Sequence, residues 1–143
     1  METYEEYFNR KTKTYNDFAN KYIFWAFNDE QFADGMRKLG LNIDDTDKIY
    51  RTYLGGFILR ERSAEHKELV NKLDKELKAL MQNYDFAVDA FYYELANHEY
   101  CITYDCRDAL GALDLTIKEV NENPKLRSAL RYAKEKYLAN YDW

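Results

Sequence analysis

Residues 48–60 read KIYRTYLGGFILR, and this stretch decides the fold class. Two short runs rich in Ile, Tyr, Thr and Phe flank Gly55-Gly56. β-branched and aromatic residues suit a pleated strand, and paired glycines supply the backbone freedom of a reversal. In the first run the side chains alternate, with Ile49, Arg51 and Tyr53 on one face and Tyr50, Thr52 and Leu54 on the other. The reading is a β-hairpin. Glycines can also cradle an anion, but turn geometry accounts for a lone Gly-Gly pair.

Upstream, residues 22–27 (YIFWAF) are too short and too dense in aromatics for a helix. They read as a third strand, buried on both faces. Asn28 is the expected N-cap of a helix through Leu39, with Asp29 and Glu30 at the positive end of its dipole and Gly40 as its stop. Residues 42–47 (NIDDTD) are a polar turn. Their aspartates lack the alternating acids, central Gly and distal Glu of a calcium loop. Ahead of all this, residues 2–20 form a first helix from Tyr4, Tyr7, Phe8, Tyr15, Phe18 and Ala19, with a frayed start expected.

Downstream, Ser63 opens the longest helix, to about Gln82, with Leu69, Val70, Leu73, Leu77, Leu80 and Met81 as its stripe. His66 lies off that stripe and is expected to be exposed. Asp85 is the expected cap of the next helix, which is apolar on more than one side and so either buried centrally or covered on its second side by a partner. On it Phe91, Leu95 and His98 share a face, with Glu94 one turn before His98. An extended segment at 102–104 follows, then a helix capped by Asp105 and running to Leu113. Thr116 and Glu119 make a capping box. Asn123-Pro124 starts the last helix, to about Asn140, and Tyr141 and Trp143 end the chain. The sum is an α+β fold: a small antiparallel three-stranded sheet, one strand plus the Gly-Gly hairpin, packed with about six helices. No linker, repeat or low-complexity tract interrupts it, so residues 1–143 read as a single domain.

Composition narrows the function classes. No apolar run follows a basic start or is long enough to span a bilayer, so a cytoplasmic protein without membrane contact is expected. Two cysteines, Cys101 and Cys106, are too few for a secreted scaffold and read as reduced thiols. The formal charge of −5 falls mostly on residues 63–143 and disfavours direct nucleic-acid binding. It suits a basic protein partner. Fourteen tyrosines exceed the needs of one modest core, so some should be exposed at an interface.

The stretch 91–110 concentrates the residues with chemistry. His98, Cys101 and Cys106 are ligands zinc favours, with Glu99, Asp105 or His66 as a fourth. Their spacing matches no standard finger, and the simpler reading of the thiols is as small buried hydrophobes. His98 with Glu94 or Glu99 could act as an oriented general base, but no nucleophile signature or phosphate loop accompanies it. Residues 108–133 have a trihelical outline that can read DNA, although the last helix of any small bundle looks alike. No cofactor is expected.

FWAFNDEQFADGMRKLG, the hairpin glycines, YELANHEYCITYD and ALGALDLTIKEVNENPKLRSALRYAKEKYL together resemble an uncharacterised family of small bacterial proteins found on phages and mobile elements. The resemblance covers most of the chain and carries no assigned activity. It implies an anti-defence inhibitor of anti-CRISPR type, which would bind a Cas nuclease in the host cytoplasm and block its basic nucleic-acid surface. The expected contact residues are Asp44, Asp45, Asp47, Glu94, Glu99, Tyr100 and Tyr104. Two alternatives stand beside it: a zinc-stabilised regulatory or accessory module on His98, Cys101 and Cys106, and an enzyme using His98 with Glu94.

Overall fold

A computed structural model of the chain describes residues 2–53 and 55–140. Leu54, Tyr141 and Trp143, placed above in the hairpin and at the chain end, lie outside the described residues. The described residues form eight α-helices and one three-stranded antiparallel sheet, the α+β architecture expected. Helices outnumber the expected six because several are short. The residues gather into two compact units, 10–72 and 1–9 with 73–143. No helix among the described residues is long and apolar enough to cross a membrane.

The 10–72 unit holds the sheet. Most of α1 (Tyr4–Tyr22) leads into β1 (Ile23–Phe24), α2 (Asp29–Lys38), β2 (Ile49–Arg51), β3 (Phe57–Leu59) and the first half of α3 (Ser63–Leu80). Strand order is β1-β3-β2, with Ile23 opposite Ile58 and Tyr50 opposite Ile58 on its other side. Ile23 and Ile58 are buried with Ala19, and the Phe24 ring stacks on Phe57 with centroids 5.2 Å apart. The hairpin loop closes through Thr52, whose N–H donates to the Gly56 carbonyl and whose carbonyl accepts from Gly55. Gly55 sits at φ +90°, where side chains are disfavoured.

The expected six-residue buried strand at 22–27 is wrong in length and burial. It pairs only at Ile23 and Phe24, while Trp25 and Phe27 are exposed. The cause is the adjacent cap. Asn28 accepts from the Gln31 N–H as expected, and the Phe27 N–H donates to the Gln31 side chain, so the backbone has already turned into α2. Lys38 donates to the Ile23 carbonyl and blunts that sheet edge. Gly40, at φ +75°, ends α2: its N–H donates to the Arg37 carbonyl and that of Leu41 to Met36, a Schellman closure. His66 is half-buried, not exposed, with its Nε2 3.1 Å from the Tyr15 hydroxyl.

The other unit is built around α4 (Tyr84–Asn97), whose Phe86, Ala87, Ala90, Phe91 and Leu95 are buried. It packs chiefly against α8 (Pro124–Asn140), and also against α5 (Tyr100–Thr103) and α6 (Arg107–Ala112). Asn83, not Asp85, caps α4, because the helix begins two residues earlier than its apolar run suggests. Residues 102–104 are not extended. Tyr100–Thr103 form a helical turn bracketed by Glu99 and Tyr104, both at φ +53°. Thr116 and Glu119 form the expected capping box on α7 (Ile117–Glu122), and Asn123 accepts from the Leu126 N–H at the start of α8. The start of α1 is pinned, not frayed: Thr3 accepts from the Glu6 N–H, Tyr4 and Tyr7 are buried, and the Tyr7 hydroxyl donates to the Leu73 carbonyl.

Candidate functional site

Asp89, Tyr92, Tyr93, Ala96 and Asn97 are spaced as one stripe on α4. With Thr3, just before α1, and Glu5 in its first turn they line an open groove of about 600 Å³. Ala96 has the shortest side chain of the stripe and leaves room between its larger neighbours. The groove therefore has phenol rings beside it and carboxylates at its rim. Lys136, from α8, places its ammonium 5.2 Å from the centre of the Tyr92 ring, so that ring already takes a cation on its face.

Tyr4 and Glu94 hold the groove's two sides together. The Tyr4 N–H donates to Asp89 Oδ2 at 2.8 Å, which satisfies an orphan donor at the start of α1. The Tyr4 hydroxyl donates to Glu94 Oε1 at 2.6 Å. Glu94 is 1% exposed, and its other oxygen lies 3.3 Å from His98 Nε2. A buried carboxylate is costly unless it is bonded, and here both oxygens have partners. Burial, the hydrogen bond to Glu94 and the charge of that carboxylate all push the Tyr4 phenol well above its ordinary range.

The residues singled out in the sequence fall in both units. Asp44, Asp45 and Asp47 belong to the 10–72 unit, and Glu94, Glu99, Tyr100 and Tyr104 to the other. Asp44, Asp47, Glu99 and Tyr104 are exposed. Asp45 is half-buried and accepts from the Asn42 N–H, so it shapes its own turn. Glu94 and Tyr100 do not have the exposure expected of contact residues. Tyr100 is buried beside Tyr137 and Tyr104. The groove residues Asp89, Tyr92 and Tyr93 were missed, although their spacing with Asn97 carries the signal.

The alternative zinc cluster of His98, Cys101 and Cys106 does not assemble among the described residues. Both thiols are free and buried, His98 faces Glu94, and no group of three His, Cys, Asp or Glu among the described residues converges as a metal site. Glu94 with His98 has the form of an oriented imidazole, and His98 is partly exposed. Asp105 is half-buried and bonded to Arg107, which holds its carboxyl down at about 2.

Charge divides by unit. Residues 10–72 carry twelve Lys and Arg against ten Asp and Glu, while the other unit carries nine against sixteen. The acidic excess of the chain thus belongs wholly to the unit that bears the groove.

Residues 6–136 match a family of unknown function, DUF7659. The chain belongs to that family. No curated protein and no solved structure matches it.

Proposed function

We propose that this protein acts by binding another protein, without bond-making chemistry of its own, and that its partner presents a cationic surface. The observation that carries the reading is the concentration of the acidic excess in the unit with the tyrosine-lined groove. Carboxylates steer and orient a basic partner, and tyrosines supply contact area with little loss of side-chain freedom. Basic surfaces of this kind line the nucleic-acid channels of guide-loaded nucleases. The resemblance to phage and mobile-element proteins makes such a defence nuclease, of Cas type, the partner proposed, with inhibition by occlusion of its nucleic-acid path in a bacterial cytoplasm.

The test is a cleavage assay with guide-loaded Cas nucleases, with and without the purified protein, alongside direct binding at low and moderate salt. Inhibition relieved by prior loading of target DNA, with affinity falling as salt rises, supports the proposal. Binding that is indifferent to salt removes the electrostatic basis. Failure across representative nucleases removes the partner assignment.

A further inference from the structure

Resting on that reading of a basic protein partner, we infer that the groove between Thr3–Glu5 and α4 is a socket for one arginine side chain of the partner. Guanidinium has flat, weakly hydrated faces and a planar fork of N–H donors. The groove supplies the complement of each. Tyr92 and Tyr93 line it with aromatic surface beside the small Ala96, and the Lys136 ammonium 5.2 Å from the Tyr92 centroid marks that ring as one that takes a cation. Asp89 and Glu5 offer carboxylate oxygens, and Asn97 and Thr3 offer neutral acceptors.

The start of a helix ordinarily disfavours a cation. Here Asp89 bonds the Tyr4 N–H, and Glu5 and Glu6 lie in the first turn of α1, so three carboxylates stand against the helix start and the nearby ammonium of Lys136. Phosphate and carboxylate ligands are disfavoured by the same charges. Lysine is a compact, strongly hydrated charge; its ammonium can face a ring, as that of Lys136 faces Tyr92, but it lacks the planar fork that would meet Asp89 and Glu5 together.

The experiment uses the whole, isotope-labelled chain and three probes: the blocked amino-acid amides of arginine, lysine and citrulline. Citrulline keeps the shape of arginine and removes its charge. Backbone amide shifts are followed during titration. Saturable shifts in residues 89–97 and 3–5 with arginine amide, and binding about tenfold weaker with citrulline, support the socket. Equal response to arginine and citrulline overturns it, and equal response to arginine and lysine overturns the guanidinium assignment. No saturable shift overturns it outright.

Asp89→Asn also loosens the start of α1, so two further variants accompany it. Glu5→Gln alters an exposed side chain, and Ala96→Met fills the groove from an exposed helix position. Both should fold and weaken arginine amide binding severalfold; unchanged binding in both removes the socket. These arms need no nuclease. Arginine binding without nuclease inhibition defeats the partner assignment alone, and the converse defeats the socket alone.

Discussion

The hydroxyl of Tyr4 donates to the carboxylate of Glu94 across 2.6 Å, although the two residues stand 90 positions apart. Both side chains are almost wholly out of solvent. This bond, with that from the Tyr4 N–H to Asp89, ties the first turn of α1 to α4 and so fixes both walls of the groove.

Tyr4→Phe keeps the ring contacts with Phe8, Phe86 and Tyr93 and removes only the donor. A hydrogen bond to a charged group contributes about 1.5–3 kcal/mol, and its loss leaves a buried carboxylate underpaired. The expected loss of stability is of that order, read from urea unfolding. Adding Glu94→Gln to Tyr4→Phe should cost less than Glu94→Gln alone plus Tyr4→Phe alone, since the two act on one bond. Glu94→Gln keeps a carbonyl acceptor, so strict additivity of the two changes would show that the charge of Glu94 adds nothing to the bond.

Alkali should attack the same place. Burial, followed by the bond to Glu94 and its charge, raises the folded-state pKa of Tyr4 above its unfolded value near 10. The unfolded chain therefore loses this proton first. The stabilising effect is fully present below about pH 10 and is lost as pH rises beyond it. Tyr4→Phe should flatten the decline in stability above that pH. A mutant curve parallel to the wild type would remove Tyr4 as its source.

What the sequence disclosed follows the range of the interactions. The caps at Asn28, Thr116 and Asn123 and the stop at Gly40 are closed by neighbours within a few residues, and each is found where it was read. Glu94 looked like a surface acid because its partner Tyr4 lies at the far end of the chain. The turn at Tyr100–Thr103 was invisible for another reason. It depends on left-handed conformations at Glu99 and Tyr104, which neither residue type advertises. Trp25 and Phe27 look like core by composition, and only the position of the α2 cap puts them outside.

In the 10–72 unit, acid should act through His66. Burial lowers its pKa, and its Nε2 meets the Tyr15 hydroxyl. The unfolded chain accordingly binds the proton first. Stability from this group is fully present above about pH 6.5 and fades as pH falls through the lower folded value. His66→Gln keeps a polar group near Tyr15 and cannot take that proton. Between about pH 7.5 and 5.5 the wild type should lose more stability than His66→Gln, measured by denaturant midpoints. Equal losses would place the acid sensitivity elsewhere.

Two glycines in helices should respond oppositely to alanine. On propensity alone, Gly→Ala inside a helix stabilises by about 0.5–1 kcal/mol. Gly111, in α6, is exposed, and an added Cβ would meet nothing within 4 Å. Gly111→Ala should therefore gain about that amount. Gly35, in α2, is buried, and a Cβ there would lie 2.0 Å from the Phe24 ring. That ring cannot swing aside cheaply, because it stacks on Phe57 and meets Phe32 edge-on. Overpacking of this kind costs about 1–3 kcal/mol, more than the propensity gain. Gly35→Ala should lower the unfolding midpoint while Gly111→Ala raises it. A neutral or stabilising Gly35→Ala would mean that α2 is not held against β1 as closely as the Phe24 contact requires.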